Sequence, residues 1–395
     1  ISFGVLCACG FELVPFIFTL ASSISFACIV KNIERRIDMI FSSIGLAVLN
    51  VVYISVLKVI FNDNFSDTIF ILPGIWFNGF ISGILCLGLL TPIEYILNTA
   101  SVFRLLDLSD LNAPTIKNMQ MVAGGTYNHS IMVANLAESA CGKIGANPLL
   151  ARVGAYYHDI GKTDNPEYFT ENQDGKENIH NEINPSLSVS IIRSHVKKGV
   201  EKAKELRLPK QIIDIISEHH GNQVIAYFYN EAKEKDPNAK EEDYAYTGTP
   251  PSSRESAVVM LADTVEAACR SLDKPSIKRL EKFISQLINA KIEHNQLDNC
   301  GLTFKDLAII KETFVQVLAS HYHSRVKYPD QKDPDTGKTV AQEKEEEKTV
   351  TEKDSNVKEK DSKDKEKDSK DREKDSKDKE KDSKDKEKDS KDKEK

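Results

Sequence analysis

The first 98 residues are almost entirely apolar, and this feature limits the fold of the chain more than any other. Three stretches, Phe11–Val30, Ile37–Phe61 and Ile69–Leu97, reach the length of about 20 apolar residues that crosses a lipid bilayer. Core helices of a soluble protein would be shorter and would carry more charge. We therefore predict transmembrane helices in residues 1–98.

The charged residues between these stretches predict the orientation of the chain in the membrane. Lys31, Arg35 and Arg36 lie between the first two stretches, whereas the loop before the third carries Asp63 and Asp67 and no base. The positive-inside rule places the first of these loops in the cytoplasm. The third stretch then ends in the cytoplasm. We expect a multi-pass protein of the cell membrane with everything after residue 98 in the cytoplasm.

Ionisable residues deep inside a span would mark a transport pathway. Only Glu12, Lys58 and Glu94 come into question, and all three lie near span ends, so the pattern favours an anchor or a signalling region. The chain begins at Ile1 within an apolar run and lacks the basic start of a signal peptide. We expect these spans to be the C-terminal part of a larger membrane region.

Residues 331–395 contain almost no apolar side chains. From Lys358 the unit Lys-Glu-Lys-Asp-Ser-Lys-Asp repeats five times, with Arg372 as the one substitution. No position of the repeat is apolar, so a coiled coil would have no seam to bury. We predict a disordered, solvated tail.

The region between the membrane and the tail has the composition of a globular domain. The chain as a whole has a net charge of −7, and this region contains no basic stripe interleaved with aromatic residues. Both observations argue against a nucleic-acid polymer as partner. The seven scattered cysteines do not suggest a disulfide framework and suit a reducing cytosol. We assign residues 99–114 to a linker helix and residues 115–330 to the domain.

Helix start signals recur through this domain. Asn147-Pro148, Asn184-Pro185 and Leu208-Pro209 each precede an apolar helical pattern, and a further apolar helix covers Ala257–Ala268. Proline is favoured at the first position of a helix. Because no convincing alternating strand occurs, we predict an all-α fold.

Histidines and aspartates end or interrupt the apolar faces of these helices. They are His129, His158, Asp159, His195, His219, His220 and Asp263, and they include five of the nine histidines. Taken singly, His129 could cap a helix and Asp263 could pair with an arginine. A buried carboxylate is unfavourable unless it is paired or bound to a metal, and the adjacent pair His219-His220 has little role in packing. We therefore predict a metal site, with iron, manganese or zinc preferred over calcium.

Seven ligands are too many for one ion but fit two ions that share a carboxylate. Asp159 is the natural bridge, because Ile160-Gly161 can turn the backbone directly after it. Two metals about 3.5–4 Å apart can clamp a phosphate and activate water. The pattern predicts hydrolysis of a phosphoester without a side-chain nucleophile. Gly124-Gly125-Thr126 lacks the lysine of a phosphate-binding loop.

Six motifs occur in order: Gly125–Ser130, His158–Lys162, Pro185–Ser188, Ser194–Val196, His219–Gly221 and Leu261–Ala267. In order and spacing they resemble the seven-transmembrane HD family, best known for its PgpH-type cyclic di-AMP phosphodiesterases. The resemblance covers residues from about 11 to about 330. It implies a cytoplasmic, all-helical HD domain that hydrolyses cyclic di-AMP to linear pApA with two divalent metal ions, iron or manganese.

The resemblance also implies a role for each candidate residue. His129, His158, Asp159 and Asp263 would hold the first metal, and Asp159, His195, His219 and His220 the second. Lys162 would join Asp159 as a catalytic residue by contacting a substrate phosphate; the alternative is an ordinary solvated lysine. His219-His220 is not followed by Gly-Tyr-Pro, so the chain does not resemble the HD group that cleaves cyclic di-GMP.

Two other functions stay open at this point. One is a sensor whose HD domain binds a nucleotide without cleaving it, which a loss of metal ligands would favour; none is lost. The other is an HD phosphohydrolase for another nucleotide. The expected partners are a cyclic dinucleotide, the lipid bilayer and, as an open alternative, further copies of the chain in a homo-oligomer.

Overall fold

The computed structural model describes residues 2–31, 33, 35–62, 68–173, 178–272 and 275–323. All of them except His323 belong to one compact unit, residues 1–322. The second unit, residues 323–395, contains the predicted disordered tail, and that prediction lies outside the described residues.

The described chain is helical, and its only extended pairing is an isolated bridge between Val224 and Ala245. The α-helices are α1 (Ser2–Ala8), α2 (Leu13–Val30), α3 (Arg36–Ile60), α4 (Thr68–Leu97), α5 (Val102–Leu108), α6 (Pro114–Val122), α7 (Gly124–Ile144), α8 (Pro148–Tyr157), α9 (Pro185–Glu205), α10 (Lys210–Glu218), α11 (Ala226–Lys235), α12 (Arg254–Arg270), α13 (Ile277–Glu293) and α14 (Phe304–His323). Short 3-10 helices cover Ile160–Asp164, Pro166–Tyr168, Thr170–Asn172, Ile179–Asn181 and Glu241–Tyr244. The predicted all-α fold is confirmed.

Three helices within the described residues are long and apolar enough to cross a membrane: Leu13–Val30, Arg36–Ile60 and Leu72–Leu97. They match the three predicted spans to within a few residues. α3 packs against both α2 and α4. Ser43 and Ala47 of α3 face Gly79 and Gly83 of α4, and such small residues let two helix backbones approach closely in a bilayer.

The helix starts of the domain follow the predicted signals. Asn147 and Asn184 accept hydrogen bonds from Leu150 N and Ser186 N, and the following proline is the first residue of α8 and of α9. Pro209 is the residue before α10 and not its first residue, because its ψ of 147° is extended. α8 and α10 pack against each other, and His158 and His219 directly follow their last residues.

The linker is part of the domain core. Within residues 99–114 only Val102–Leu108 are helical in α5, and Pro114 is the first residue of α6. Leu105 is fully buried in the same apolar cluster as α7, α8 and α12. The Tyr157 hydroxyl also donates to the carbonyl oxygen of Leu108, at 3.2 Å. The end of the membrane region is therefore packed on the domain.

The end of α4 also contacts the turn between α9 and α10. The guanidinium of Arg104 donates to the carbonyl oxygens of Glu94 (3.1 Å) and Arg207. The Arg207 guanidinium carbon lies 4.9 Å from the centre of the Tyr95 ring. This turn joins α9, which carries His195, to α10, which ends directly before His219.

Candidate metal centre

The seven predicted ligands come from five helices or helix ends and meet in one place. His129 lies on α7, His195 on α9 and Asp263 on α12, whereas His158 and His219 directly follow the last residues of α8 and α10. All are buried except His220, whose side chain is 23% exposed. The structure thus brings every predicted ligand together.

Gly161 allows the turn after His158-Asp159 to lie against α9. A Cβ at Gly161 would lie 1.9 Å from the carbonyl oxygen of His195, far inside van der Waals contact. The backbone φ of Gly161 is not positive, so the need for glycine comes from close approach. The predicted turn exists, as the 3-10 helix Ile160–Asp164.

Each oxygen of the Asp159 carboxylate faces two imidazole nitrogens. Oδ2 lies 3.2 Å from Nε2 of His158 and 3.5 Å from Nε2 of His129. Oδ1 lies 3.4 Å from Nε2 of His195 and 3.7 Å from Nε2 of His219. The carboxylate is only 1% exposed and stands between two pairs of histidines.

Three of these histidines have a fixed tautomer. Nδ1 of His158, His195 and His219 lies 2.7, 2.5 and 2.7 Å from the carbonyl oxygen three residues earlier in the chain. A carbonyl only accepts, so Nδ1 carries the proton and Nε2 offers a lone pair to its other neighbours. Nε2 of His195 and Nε2 of His219 are 3.2 Å apart, and Nε2 of His158 has no hydrogen-bond partner among the described residues.

Lone pairs that face one another and a carboxylate repel unless a cation lies between them. This donor set therefore fits divalent metal ions, with imidazole and carboxylate ligands typical of transition metals. Two groups of ligand atoms lie within 4.8 Å of one another: one of Asp159, His195, His219 and His220, the other of His129, His158 and Asp159. Asp159 belongs to both groups.

Asp263 lies beside both groups. Its Oδ1 is 3.0 Å from Nε2 of His129 and 3.9 Å from Nε2 of His158. Its Oδ2 is 3.6 Å from Nδ1 of His220. The Asp263 carboxylate therefore lies near histidines of both groups.

Glu266 lies within the motif Leu261–Ala267 and is a site residue that had no predicted role. Its Oε2 lies 2.5 Å from Nδ1 of His129, and Arg270 holds the same oxygen at 2.6 Å. A carboxylate behind a ligating histidine orients the ring and raises its basicity. The available signal was spacing, because Glu266 follows Asp263 by three residues and shares its face of α12.

Lys162 is neither solvated nor exposed. Its Nζ lies 2.8 Å from Oδ2 of Asp159 and 2.8 Å from Oε1 of Glu171, and its side chain is 12% exposed. Burial alone would lower the pKa of Lys162, but the two carboxylates raise it above its usual value. Lys162 is therefore a largely covered cation at the edge of the cluster, paired with two carboxylates. Glu171 is a second residue that had no predicted role.

The charges in the cluster control one another. Burial would raise the pKa of Asp159, yet the neighbouring His158 and Lys162 hold it well below its usual range. Burial would lower the pKa of His129, but hydrogen bonds with Asp263 and Glu266 raise it to about 9. Burial lowers the pKa of His195 to about 3, so this imidazole is neutral and free to bind a metal.

A cavity of about 860 Å³ lies beside the cluster. Its aromatic lining residues are Tyr168, Phe169, Tyr227, Phe228 and Tyr246, and its polar ones include Lys162, Glu171, Asp263 and Arg270. The Tyr246 ring is stacked on His220, with ring centres 4.2 Å apart. The cavity therefore offers flat apolar surfaces next to the candidate ligands.

Comparisons with known proteins agree with this arrangement. Residues 126–268 match the HD domain, and residues 1–101 match the family described as a 7TM receptor with intracellular HD hydrolase. The chain is 40% identical over 323 residues to the cyclic-di-AMP phosphodiesterase PgpH of Bacillus subtilis (strain 168), which covers 81% of this chain and 45% of the relative. It is also 40% identical over 319 residues to PgpH of Listeria monocytogenes, covering 80% of this chain and 44% of the relative.

A solved structure is similar as well. The crystal structure of the L. monocytogenes PgpH HD domain in complex with cyclic-di-AMP has a TM-score of 0.52 and 45% sequence identity, and the match covers 53% of this chain and 99% of that one. The chain spans less than half the length of the two curated PgpH relatives. The helical fold, the clustered ligands and these matches lead to one conclusion: the chain belongs to the seven-transmembrane HD family.

Proposed function

We propose that this chain is a membrane-anchored phosphodiesterase that hydrolyses cyclic di-AMP to the linear dinucleotide pApA. The observation that carries the proposal is the position of Asp159, whose two oxygens each face a pair of imidazole nitrogens at 3.2–3.7 Å. One bridging carboxylate between two histidine pairs is the arrangement that a two-metal hydrolase needs.

The ligands divide between two ions. His129, His158, Asp159 and Asp263 would hold the first, and Asp159, His195, His219 and His220 the second. Manganese or iron suits this mixture of nitrogen and oxygen donors. When bound, the two ions would supply the Lewis acidity that activates a water molecule and offsets charge on the phosphate. The buried histidines and Asp159 would hold both ions.

The chain's other residues orient the substrate and exclude bulk water. The ammonium of Lys162 lies at the cavity wall, where it can contact a phosphate oxygen. The aromatic side chains of the cavity can stack on a purine base, a contact worth about 1–3 kcal/mol per base. In the reaction one water oxygen bonds to phosphorus, the bond from phosphorus to O3′ breaks, and a proton passes to O3′.

Cyclic di-AMP is favoured as substrate by the relatives. Two relatives that are 40% identical are named cyclic-di-AMP phosphodiesterases, and the similar HD domain was crystallised with cyclic-di-AMP. All seven candidate ligands are retained here and lie together, so the sensor without turnover has no specific observation in its favour.

The membrane region supports a location at the cell membrane with the HD domain in the cytoplasm. Three helices can span a bilayer, and the basic residues Lys31 and Arg35 lie before the second of them, which begins at Arg36. The positive-inside rule then places the end of α4, and the domain packed on it, on the cytoplasmic side.

The deciding experiment uses the full chain in detergent micelles. The protein is stripped with a chelator, reloaded with Mn²⁺ or Fe²⁺, and given cyclic di-AMP, cyclic di-GMP or pApA. We expect the chain to release pApA from cyclic di-AMP, and to turn over cyclic di-AMP faster than cyclic di-GMP or pApA. His294→Ala serves as control, because His294 is an exposed histidine away from the cluster.

Two results would reject the proposal. A wild-type chain that binds cyclic di-AMP but releases no pApA with either metal is a sensor and not an enzyme. Faster turnover of another nucleotide would keep the hydrolase and change its substrate.

A further inference from the structure

The environment of Lys162 contains more than the bridging carboxylate. Its Nζ lies 2.8 Å from Oε1 of Glu171, as close as it lies to Oδ2 of Asp159. The ammonium also lies 5.0 Å from the centre of the Phe169 ring. The Glu171 side chain is only 10% exposed and lines the same cavity. Lys162 thus has two anionic partners, and only one of them is a candidate metal ligand.

Asp159 would be a weaker partner of Lys162 with metal bound. Oδ2 is the oxygen that faces His129 and His158, so a cation among these three groups would take its charge. A divalent ion and an ammonium at one oxygen repel each other strongly in a buried site. Without another anion, Lys162 would turn away from the cluster.

Glu171 and its neighbour Asn172 are hydrogen-bonded to the first turn of α7. Thr126 Oγ1 donates to Oε1 of Glu171 at 3.2 Å. The neighbouring Asn172 accepts from Thr126 N at 3.0 Å and donates to Thr126 Oγ1 at 2.9 Å. Thr126 lies one helical turn before His129 on α7. The hydrogen bond from Thr126 therefore ties Glu171 to the helix that carries a candidate metal ligand.

We propose that Glu171 is a positioning residue that keeps the ammonium of Lys162 at the cavity wall beside the metals, where it meets the substrate phosphate. The inference rests on the proposed function for the phosphate contact. The placement of Lys162 by Glu171 does not depend on which nucleotide is cleaved.

The first test measures the position of Lys162 without any turnover. The full chain in detergent is labelled with a trace of acetic anhydride, and acetylation at Lys162 is compared by mass spectrometry with that at the exposed Lys117. We expect Glu171→Gln to raise the relative labelling of Lys162 by about tenfold, because a charge-assisted hydrogen bond is lost. The rise should be larger with Mn²⁺ than without it.

The matched control is Glu167→Gln, which changes an exposed glutamate of the preceding 3-10 helix. It should leave the labelling of Lys162 unchanged. Equal labelling of Lys162 in wild type and Glu171→Gln, with Mn²⁺ bound, would overturn the inference. A wild-type chain without turnover but with the expected labelling would reject the proposed function alone.

The second test is a double-mutant cycle on kcat/KM. We expect Glu171→Gln to lower kcat/KM by about tenfold and to leave the metal content unchanged. The double variant Lys162→Met with Glu171→Gln should be no slower than Lys162→Met, since Glu171 acts through Lys162. Independent, multiplying losses would contradict the inference. Lys162→Met alone leaves the carboxylate of Glu171 without its ammonium partner, which can impair folding. The double variant removes both charges, so its kcat/KM still shows the loss that Lys162 alone accounts for.

Discussion

Oε2 of Glu266 lies 2.5 Å from Nδ1 of His129, while Nε2 of the same ring lies 3.0 Å from Oδ1 of Asp263. The imidazole is therefore held from both sides by carboxylates of one helix, α12. In the other three buried histidines of the cluster, Nδ1 donates to a backbone carbonyl. Among these four histidines, His129 is thus the candidate ligand whose orientation depends on a replaceable side chain.

Glu266→Ala should weaken binding of metal at the His129 half of the site. Loss of a carboxylate behind a ligating histidine typically lowers metal affinity about 10- to 100-fold. The full chain is first stripped of metal with a chelator and then titrated with Mn²⁺. Electron paramagnetic resonance of the free Mn²⁺ gives the affinity of the chain for the metal. Glu234→Ala, at an exposed glutamate of α11, is the control and should bind like wild type. Equal Mn²⁺ affinity in both variants would show that Glu266 does not support the ligand.

Asp159→Ala should remove both metals, whereas replacement of a histidine should remove one. The carboxylate is the only residue common to the two groups of ligand atoms among the described residues. We expect fewer than one ion per chain in Asp159→Ala and about one ion in His219→Ala, by elemental analysis. Two ions per chain in Asp159→Ala would rule out the bridge.

Much of this site could be predicted because its residues do not fit the alternative of ordinary packing. Five histidines and two aspartates at apolar helix ends have no good place in a core unless they bind something. The Asn-Pro pairs before α8 and α9 likewise fix where these helices start, and therefore where His158 and His195 lie.

The residues that were not predicted depend on partners distant in sequence. Glu171 contacts Lys162 directly, but its place is set by Thr126, 45 residues earlier in the chain. Lys162 resembles a solvated helix-end lysine until Glu171 is placed beside it. No local pattern contains this information, since hydrophobic periodicity and start signals describe one helix at a time.

Gly161→Ala should destabilise the domain, since the added Cβ would lie 1.9 Å from the carbonyl oxygen of His195. Inserting a methyl group into close packing costs about 1–3 kcal/mol. Gly142→Ala is the matched control, because Gly142 is an exposed helical residue with open space around it and alanine should stabilise α7 by about 0.5–1 kcal/mol. Scanning calorimetry of both variants should show Tm shifts of opposite sign. A Gly161→Ala variant as stable as wild type would mean that α9 is not held against this turn.

Arg104→Ala should loosen the contact between α4 and the turn that joins α9 and α10. The guanidinium donates to the carbonyl oxygens of Glu94 and Arg207, and losing a charged donor costs about 1.5–3 kcal/mol. Hydrogen exchange of peptides covering residues 206–210 should become about tenfold faster or more. Arg279→Ala, on the exposed face of α13, should leave this exchange unchanged. Unaltered exchange in Arg104→Ala would show that other contacts hold the turn.

Lys291 should make the domain more stable as the pH rises from about 8 to about 10. Burial lowers its pKa from 10.5 to about 8, although the charge of Asp263 acts in the opposite direction, and its ammonium donates to Oε1 of Gln223. Between these values the unfolded chain binds the proton and the folded chain does not, so the free energy of unfolding increases with pH. Below about pH 8 both states are protonated, and burying the charge destabilises the fold by about 3 kcal/mol.

Lys291→Met isolates this contribution, because methionine fills a similar volume and does not titrate. The difference in the free energy of unfolding between wild type and Lys291→Met, from urea titrations in micelles, should shift by about 2–3 kcal/mol in favour of wild type between pH 7 and pH 10. A difference that stays constant over this range would mean that Lys291 keeps its ordinary pKa in the folded chain. Gln223 accepts from Lys291 through its side-chain oxygen and from Tyr246 N through its backbone carbonyl oxygen, so Lys291 is joined by two hydrogen bonds to Tyr246 at the wall of the cavity.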